Sequence, residues 1–308
     1  MKILVTGGGG FQGSHLVEYL LDKGHEVSVL NTYSDKSIAN LSQVLPKINL
    51  IWGSITDKEL MDKSVRGHDV VYHLAAHINV DESLQDPLVF LNVNVIGTYN
   101  ILEAVRKYGN RLILGSTCEV YGDGHKMKVG ELLNEKTELR PNSPYAASKA
   151  SADRLAYSYY KSYGVDVTIV RPFNVYGERQ KSGLFGALIP ILVAKAMKHE
   201  DLVIFGSGEA TRDFSHVSDV IRGYGMVLER NDLKGEVINL ASGQNTSVKD
   251  IAEYIAKKIG VQVLHGPARL GEVSNFLADI SLAKSFGYEP KIGIWEGIDR
   301  YIEWIKSR

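Results

Sequence analysis

The sequence predicts a doubly wound parallel α/β sheet carrying a smaller α/β lobe, on three observations. Short β-branched runs alternate with longer helical stretches through the first half of the chain, the pattern of strands covered on both faces by crossover helices. A glycine-rich turn separates the first such run from the first helix. After Pro172 the rhythm breaks into shorter elements. At 308 residues the chain sits at the upper edge of what one core organises, so residues 1–172 are expected to form the first domain. Residues 173–308 should form mainly the second lobe, interleaved with the first.

The elements follow in order. Ile3 to Val5 reads as a buried strand, and Ser14 to Leu21 has helical apolar spacing. Further strands are expected at Glu26 to Leu30, Ile48 to Trp52, Asp69 to Leu74, Arg111 to Leu114 and Asp166 to Val170. Between them Pro87 to Lys107 and Pro144 to Tyr163 read as helices. Beyond Pro172, Gly177 to Gly186 and Phe205 to Glu209 read as loops, and Trp295 to Lys306 as a last helix.

Composition excludes several classes. Lys and Arg number 35 against 36 Asp and Glu, a net charge of -1, so nothing drives the chain as a whole toward nucleic acid or an anionic membrane. One cysteine, Cys118, rules out an intrachain disulfide and a cysteine zinc site. His73 and His77 straddle a strand end with no third ligand in register, so no metal site is expected. The longest apolar runs, such as Leu188 to Ala194, are far shorter than a membrane helix. A strand-like Lys2 to Val5 at the start leaves no signal peptide to expect, so a cytoplasmic protein is the expectation.

Thr6 to Gly13 (Thr-Gly-Gly-Gly-Gly-Phe-Gln-Gly) places Gly7, Gly10 and Gly13 three apart between strand and helix. A sharp turn, close approach of a pyrophosphate and tight helix–strand packing each exclude a Cβ there, and the helix N-terminus supplies N–H donors around Phe11 and Gln12. This predicts a Rossmann dinucleotide site. The second strand ends at Asn31, where NAD sites usually carry an acid for the ribose hydroxyls. The amide can bond the same hydroxyls, which favours NAD, but it would not repel a 2′-phosphate, and Lys36 is near, so NADP is the alternative.

Tyr145 and Lys149 stand four apart at the start of a helix and can converge on one site. The lysine ammonium and a positive nicotinamide ring would favour the phenolate, suiting Tyr145 to take a hydroxyl proton as hydride leaves the same carbon. Gly115 to Gly122 follows the fifth strand, where ligands of open α/β sheets bind, and Thr117 offers a hydroxyl to share that proton.

In this order the elements resemble the NAD-dependent epimerase/dehydratase family, extended short-chain dehydrogenase/reductases acting on nucleotide sugars. The resemblance spans nearly the whole chain. It includes Leu74-Ala75-Ala76, Asn94 to Thr98, Arg171 to Gly177, Gly206 to Phe214 and Arg269 to Glu272. It implies that Leu74, Ala75, Ala76, Asn94, Ser54 and Ile55 belong to the cofactor site. It implies too that Asn174, Arg212 and Arg269 meet a nucleotide-diphosphate sugar, in keeping with the cationic donors a diphosphate needs. Ser54 stands where the family often has an aspartate near the adenine, and Asn31 replaces the acidic ribose partner. The family also implies a homodimer formed through the helices Pro87 to Lys107 and Pro144 to Tyr163.

Family members share oxidation at C4 of the hexose and then diverge. Epimerases return hydride to the other face of the ketone; dehydratases need a base for the C5 proton and assistance for loss of the C6 hydroxyl. The triplet Thr117-Cys118-Glu119 carries a glutamate that an epimerase does not require. It resembles that of the UDP-hexosamine 5,6-dehydratases of the tunicamycin pathway. Cys118 reads either as a tuned proton donor or as a small buried filler. Gly206 to Phe214 and Arg269 to Asp279 resemble 4-epimerases at least as closely, and decarboxylating relatives also carry a glutamate in this triplet. Dehydration is the favoured reaction, with 4-epimerisation the alternative.

Overall fold

The structure is a computed structural model and describes residues 1–122, 132–183, 186–267 and 276–308. In the first half the elements are β1 (Lys2–Thr6), α1 (Phe11–Asp22), β2 (Glu26–Asn31), α2 (Asp35–Leu41), β3 (Asn49–Trp52), α3 (Lys58–Val65), β4 (Val70–His73) and α4 (Val80–Gln85). There follow α5 (Pro87–Phe90), a π-helical turn (Leu91–Ile96), α6 (Gly97–Tyr108), β5 (Arg111–Gly115), α7 (Pro144–Tyr163) and β6 (Val167–Pro172). Beyond them lie β7 (Val175–Tyr176), α8 (Leu188–Ala196), β8 (Leu202–Phe205), β9 (Thr211–Asp213), β10 (Ser215–His216) and α9 (Val217–Leu228). The chain continues with β11 (Val237–Leu240), β12 (Asn245–Ser247), α10 (Val248–Ile259), β13 (Val263–Gly266), α11 (Ser281–Ser285) and α12 (Ile294–Lys306).

A seven-stranded sheet has the order β11-β6-β5-β4-β1-β2-β3. Neighbours from β6 through β3 pair in parallel. The order reverses between β1 and β4, the switch point at which such sheets bind ligands. Strands β1, β4, β5 and β6 are buried almost throughout, which is why they read as continuous apolar runs. The expected helix Pro87 to Lys107 is interrupted by the π turn, a register slip that apolar periodicity does not reveal. By length and composition Pro87–Tyr108 is apolar enough to cross a membrane, and half of its most apolar stretch is buried inside the protein.

The chain divides into two compact units. The first comprises Met1–Gly122, Leu139–Pro172 and Ile221–Ile238. The second contains Phe173–Val220, Asn239–Arg308 and the segment ending at Glu138. Thus part of α9 and the start of β11, well beyond Pro172, belong with the first unit. Within it Arg111 donates to the carbonyls of Val227, Leu228 and Arg230, satisfying the free end of α9. In the second unit the fully buried Asp213 accepts the N–H groups of Ser242 and Gly243 and the Ser242 hydroxyl. Asp219 likewise accepts the N–H groups of Lys291 and Ile292, and the buried His216 lies 3.5 Å from Glu178. Replacing Asp213 with alanine strands several of these donors. The expected cost is about 2–4 kcal/mol, measured as a lowered urea midpoint.

Candidate active site

The end of β1 is closed by backbone against backbone. Gly7 has φ +74°, and a Cβ on it would lie 2.6 Å from Ala75 N. A Cβ on Gly13 would lie 2.1 Å from the Gly7 carbonyl oxygen. No side chain caps α1, so the N–H groups of its first turn around Phe11 and Gln12 have no side-chain partner at the cap. A turn that only glycine can make, leading into an uncapped 12-residue helix, fits a dinucleotide pyrophosphate.

Asn31 closes the outer side of this turn. Its Oδ1 accepts Gly9 N–H at 3.1 Å, and its Nδ2 donates to the Thr32 carbonyl and Ser37 Oγ at 2.7 and 2.8 Å. Asn40 Nδ2 donates to the Gly9 carbonyl, so the Gly9 peptide is held from both sides. Asn31 therefore braces the loop, a role its position at a strand end did not reveal. Ser54 is engaged with Thr56, Ile55 is buried against Gly97, and Leu74 and Ala75 lie beside Thr6 and Gly7 with Ala76 next along the chain. Asn94 is buried in the π turn. It exchanges hydrogen bonds with the His77 backbone and donates to Ser148 Oγ at 2.8 Å, so it acts as a strut within the first unit.

The groups expected to react come together beyond β5. Ser143 caps α7 by accepting Ala146 N–H, and Pro144 opens its first turn. Tyr145 is thereby buried where the Thr117 side chain hydrogen-bonds it. Lys149 Nζ, one turn on, donates to the Gly115 carbonyl at 2.6 Å. Thr117 and Cys118 are buried, while the next residue, Glu119, is exposed. Burial, then the Glu119 charge, hold the Tyr145 phenol well above its usual range, with the Thr117 hydrogen bond opposing. Burial lowers the Lys149 ammonium to about 8, and Asp153 opposes that.

In the second unit Asn174 adopts a positive φ of 26° and donates to the Asp213 carbonyl at 3.1 Å. It is thus brought beside Arg212, which is partly exposed on β9 and donates to the Thr211 carbonyl. Arg269 lies outside the described residues.

Sequence reasoning missed His73 as part of this architecture. Thr98 Oγ1 gives its proton to the Asn94 carbonyl, so it accepts from His73 Nε2 at 2.9 Å, and Thr6 Oγ1 donates to Nδ1 at 2.8 Å. The ring is neutral, its pKa lowered to about 3 by burial and then by the Lys149 charge. Among the described residues no group of side chains could hold a metal.

The NAD dependent epimerase/dehydratase family model matches residues 3–241, and the chain belongs to that family. A provisionally named UDP-glucose 4-epimerase of Methanocaldococcus jannaschii is 36% identical, covering 99% of this chain and 98% of its own. A dTDP-glucose 4,6-dehydratase of Streptomyces niveus is 33% identical, covering 100% and 93%. The solved structure of DesIV, a dTDP-glucose 4,6-dehydratase of Streptomyces venezuelae with NAD bound, superposes with a TM-score of 0.90 at 31% identity over 100% and 98% of the two chains. The cofactor is NAD, and the family comprises NAD-dependent enzymes of nucleotide sugars.

A folded His73 pKa below the unfolded value makes stability present above about pH 6.5 and progressively lost as the pH falls toward about 3. Urea unfolding should therefore show wild type losing a few kcal/mol more than His73→Gln between pH 7 and 4.

Proposed function

We propose that this chain is a nucleotide-sugar dehydratase that oxidises C4, removes the C5 proton and expels the C6 hydroxyl. Glu119 carries the reading. It is an exposed carboxylate two residues from Thr117, near enough for its charge to act on the Tyr145 hydroxyl, and simple inversion at C4 has no use for it. NAD, when bound, would supply the acceptor for the C4 hydride and the source for its return. The glycine turn, Phe11 and Gln12 would hold its pyrophosphate, and Leu74, Ala75 and Ala76 would line the same cofactor site.

Tyr145, hydrogen-bonded to Thr117, takes the C4 hydroxyl proton. The phenol must be lowered from its raised value for this, and the Lys149 ammonium together with the positive nicotinamide ring provides the charge. The C4 ketone acidifies the C5 hydrogen, which Glu119 removes. The C6 hydroxyl leaves with a proton as water, the neighbouring Cys118 thiol being the donor at hand. Asn174, Arg212 and Arg269 bind the diphosphate of the sugar nucleotide.

A second reading, 4-epimerase, is favoured by the 36% identity to the Methanocaldococcus protein. Glu119→Gln separates the two readings. With UDP- and dTDP-hexoses in deuterated water, NMR should show deuterium at C5 or C6, or a C5–C6 alkene, from wild type. In the variant C4 oxidation should survive while C5 exchange falls on the order of 10²–10⁴-fold. A C4 epimer without solvent deuterium, unaffected by Glu119→Gln, installs the epimerase. Tyr145→Phe should suppress the opening oxidation itself.

The working form is a cytoplasmic homodimer. Leu84, Leu88, Leu91, Ile96 and Tyr99 are exposed along α4 to α6, and Tyr163 at the end of α7. An apolar surface of this kind is covered in a pairing of identical subunits. Sedimentation at micromolar concentration should give a dimer, and a monomer refutes it.

A further inference from the structure

The helix that carries Tyr145 and Lys149 carries a third group one turn on. Tyr145, Lys149 and Asp153 are spaced four apart, share one face of α7, and are all buried. Each meets the segment after β5 at a different point. Tyr145 meets the Thr117 hydroxyl, Lys149 the Gly115 carbonyl, and Asp153 Oδ2 accepts Ser116 Oγ at 2.8 Å.

Behind Asp153 stands Arg171 of β6, among the largest fully buried side chains of the described residues. Its Nε donates to Oδ2 and its Nη2 to Oδ1, both at 2.9 Å, in the two-pronged fork of a strong ion pair. Its Nη1 donates to Tyr121 Oη at 2.9 Å, and the guanidinium carbon lies 4.9 Å from the Tyr121 ring centroid. Ser116 precedes the Thr117-Cys118-Glu119 triplet and Tyr121 follows it closely, so one buried pair holds the segment on both sides.

We infer that Asp153 and Arg171 are positioning residues for the reaction: they fix the Thr117–Glu119 segment against α7 and set a carboxylate one turn from Lys149. The inference rests on reading Thr117, Tyr145 and Lys149 as the reacting groups. A buried ion pair is a poor device for stability alone, because apolar residues of similar volume commonly serve as well. What an apolar pair could not do is hydrogen-bond one loop at two points, Ser116 and Tyr121, and supply a negative charge one turn from Lys149.

The surrounding charges are consistent with this role. Burial would raise the Asp153 carboxyl, but Arg171 and the half-exposed Arg154, which donates to Oδ1, hold it below the usual range. Around Lys149 stand Asp153, which favours the ammonium, and His73, which is neutral. Around Tyr145 stand Glu119 and Cys118, both of which oppose its ionisation. Asp153 is thus the carboxylate acting to keep Lys149 charged among the described residues.

The test uses the full chain with NAD bound and two readouts. One is the single-turnover rate at which UDP-glucose or dTDP-glucose reduces the bound cofactor. The other is the Tyr145 ionisation midpoint, read as phenolate difference absorbance against Tyr145→Phe, which needs no substrate. Asp153→Asn should slow oxidation roughly ten- to a hundredfold and move the midpoint by about half a pH unit or more. Ser116→Ala combined with Tyr121→Phe keeps the ion pair, and should slow oxidation by about tenfold with the midpoint unmoved. A folded Asp153→Asn with wild-type rate and midpoint overturns the inference. Should that variant not fold, the double variant decides, and a rate within about twofold of wild type overturns it. A Tyr145→Phe protein that oxidises at the wild-type rate refutes instead the assignment of the reacting groups, and the positioning role falls with it.

Discussion

The first unit depends on the closure of three backbones at the end of β1. With no Cβ on Gly7, the turn rests directly on Ala75, and with none on Gly13, α1 rests directly on the Gly7 carbonyl. A methyl group at either position would collide with main chain, which cannot swing aside as a side-chain end can. This contact sets how near β1, β4 and α1 stand to one another. It brings Thr6 within reach of His73 and leaves the Gly9 peptide where Asn31 and Asn40 can grip it.

From that point a chain of buried hydrogen bonds crosses the unit. It runs from Thr6 through His73 to Thr98, then to Asn94 in the π turn, and on to Ser148 beside Lys149. Such groups are costly when left unpaired and rigid when paired. The extra residue of the π turn places Asn94 where it can bind both the His77 backbone and α7, in keeping with the occurrence of these turns at functional sites. The cofactor edge and the Tyr145 helix are thereby held in one rigid frame, as an oxidation dependent on alignment requires.

One fold serves more than one reaction in this family. Relatives at 36% and 33% identity carry the names of a 4-epimerase and a 4,6-dehydratase. On the proposed reading the choice between these reactions falls to a few side chains, of which Glu119 and Cys118 are the candidates here. One carboxylate able to remove the C5 proton changes a rate by general-base factors of about 10²–10⁴, and it leaves no trace in the fold.

The sequence by itself determined the parallel strands, the glycine turn, the helix opening at Pro144 and the Tyr145–Lys149 spacing. Each is written in residues close along the chain: apolar runs, absent Cβ atoms, a Ser-Pro cap, a four-residue step. Glu119 beside Thr117 was legible for the same reason. Tertiary structure alone decided that Asn31 braces the glycine loop, that Asn94 is a strut, that His73 is neutral between two threonines, and that Asp153 and Arg171 grip the loop after β5. Those contacts join residues 22, 54, 67 and 37 positions apart. No periodicity relates such positions; only the order in which the strands pack brings them within hydrogen-bonding distance.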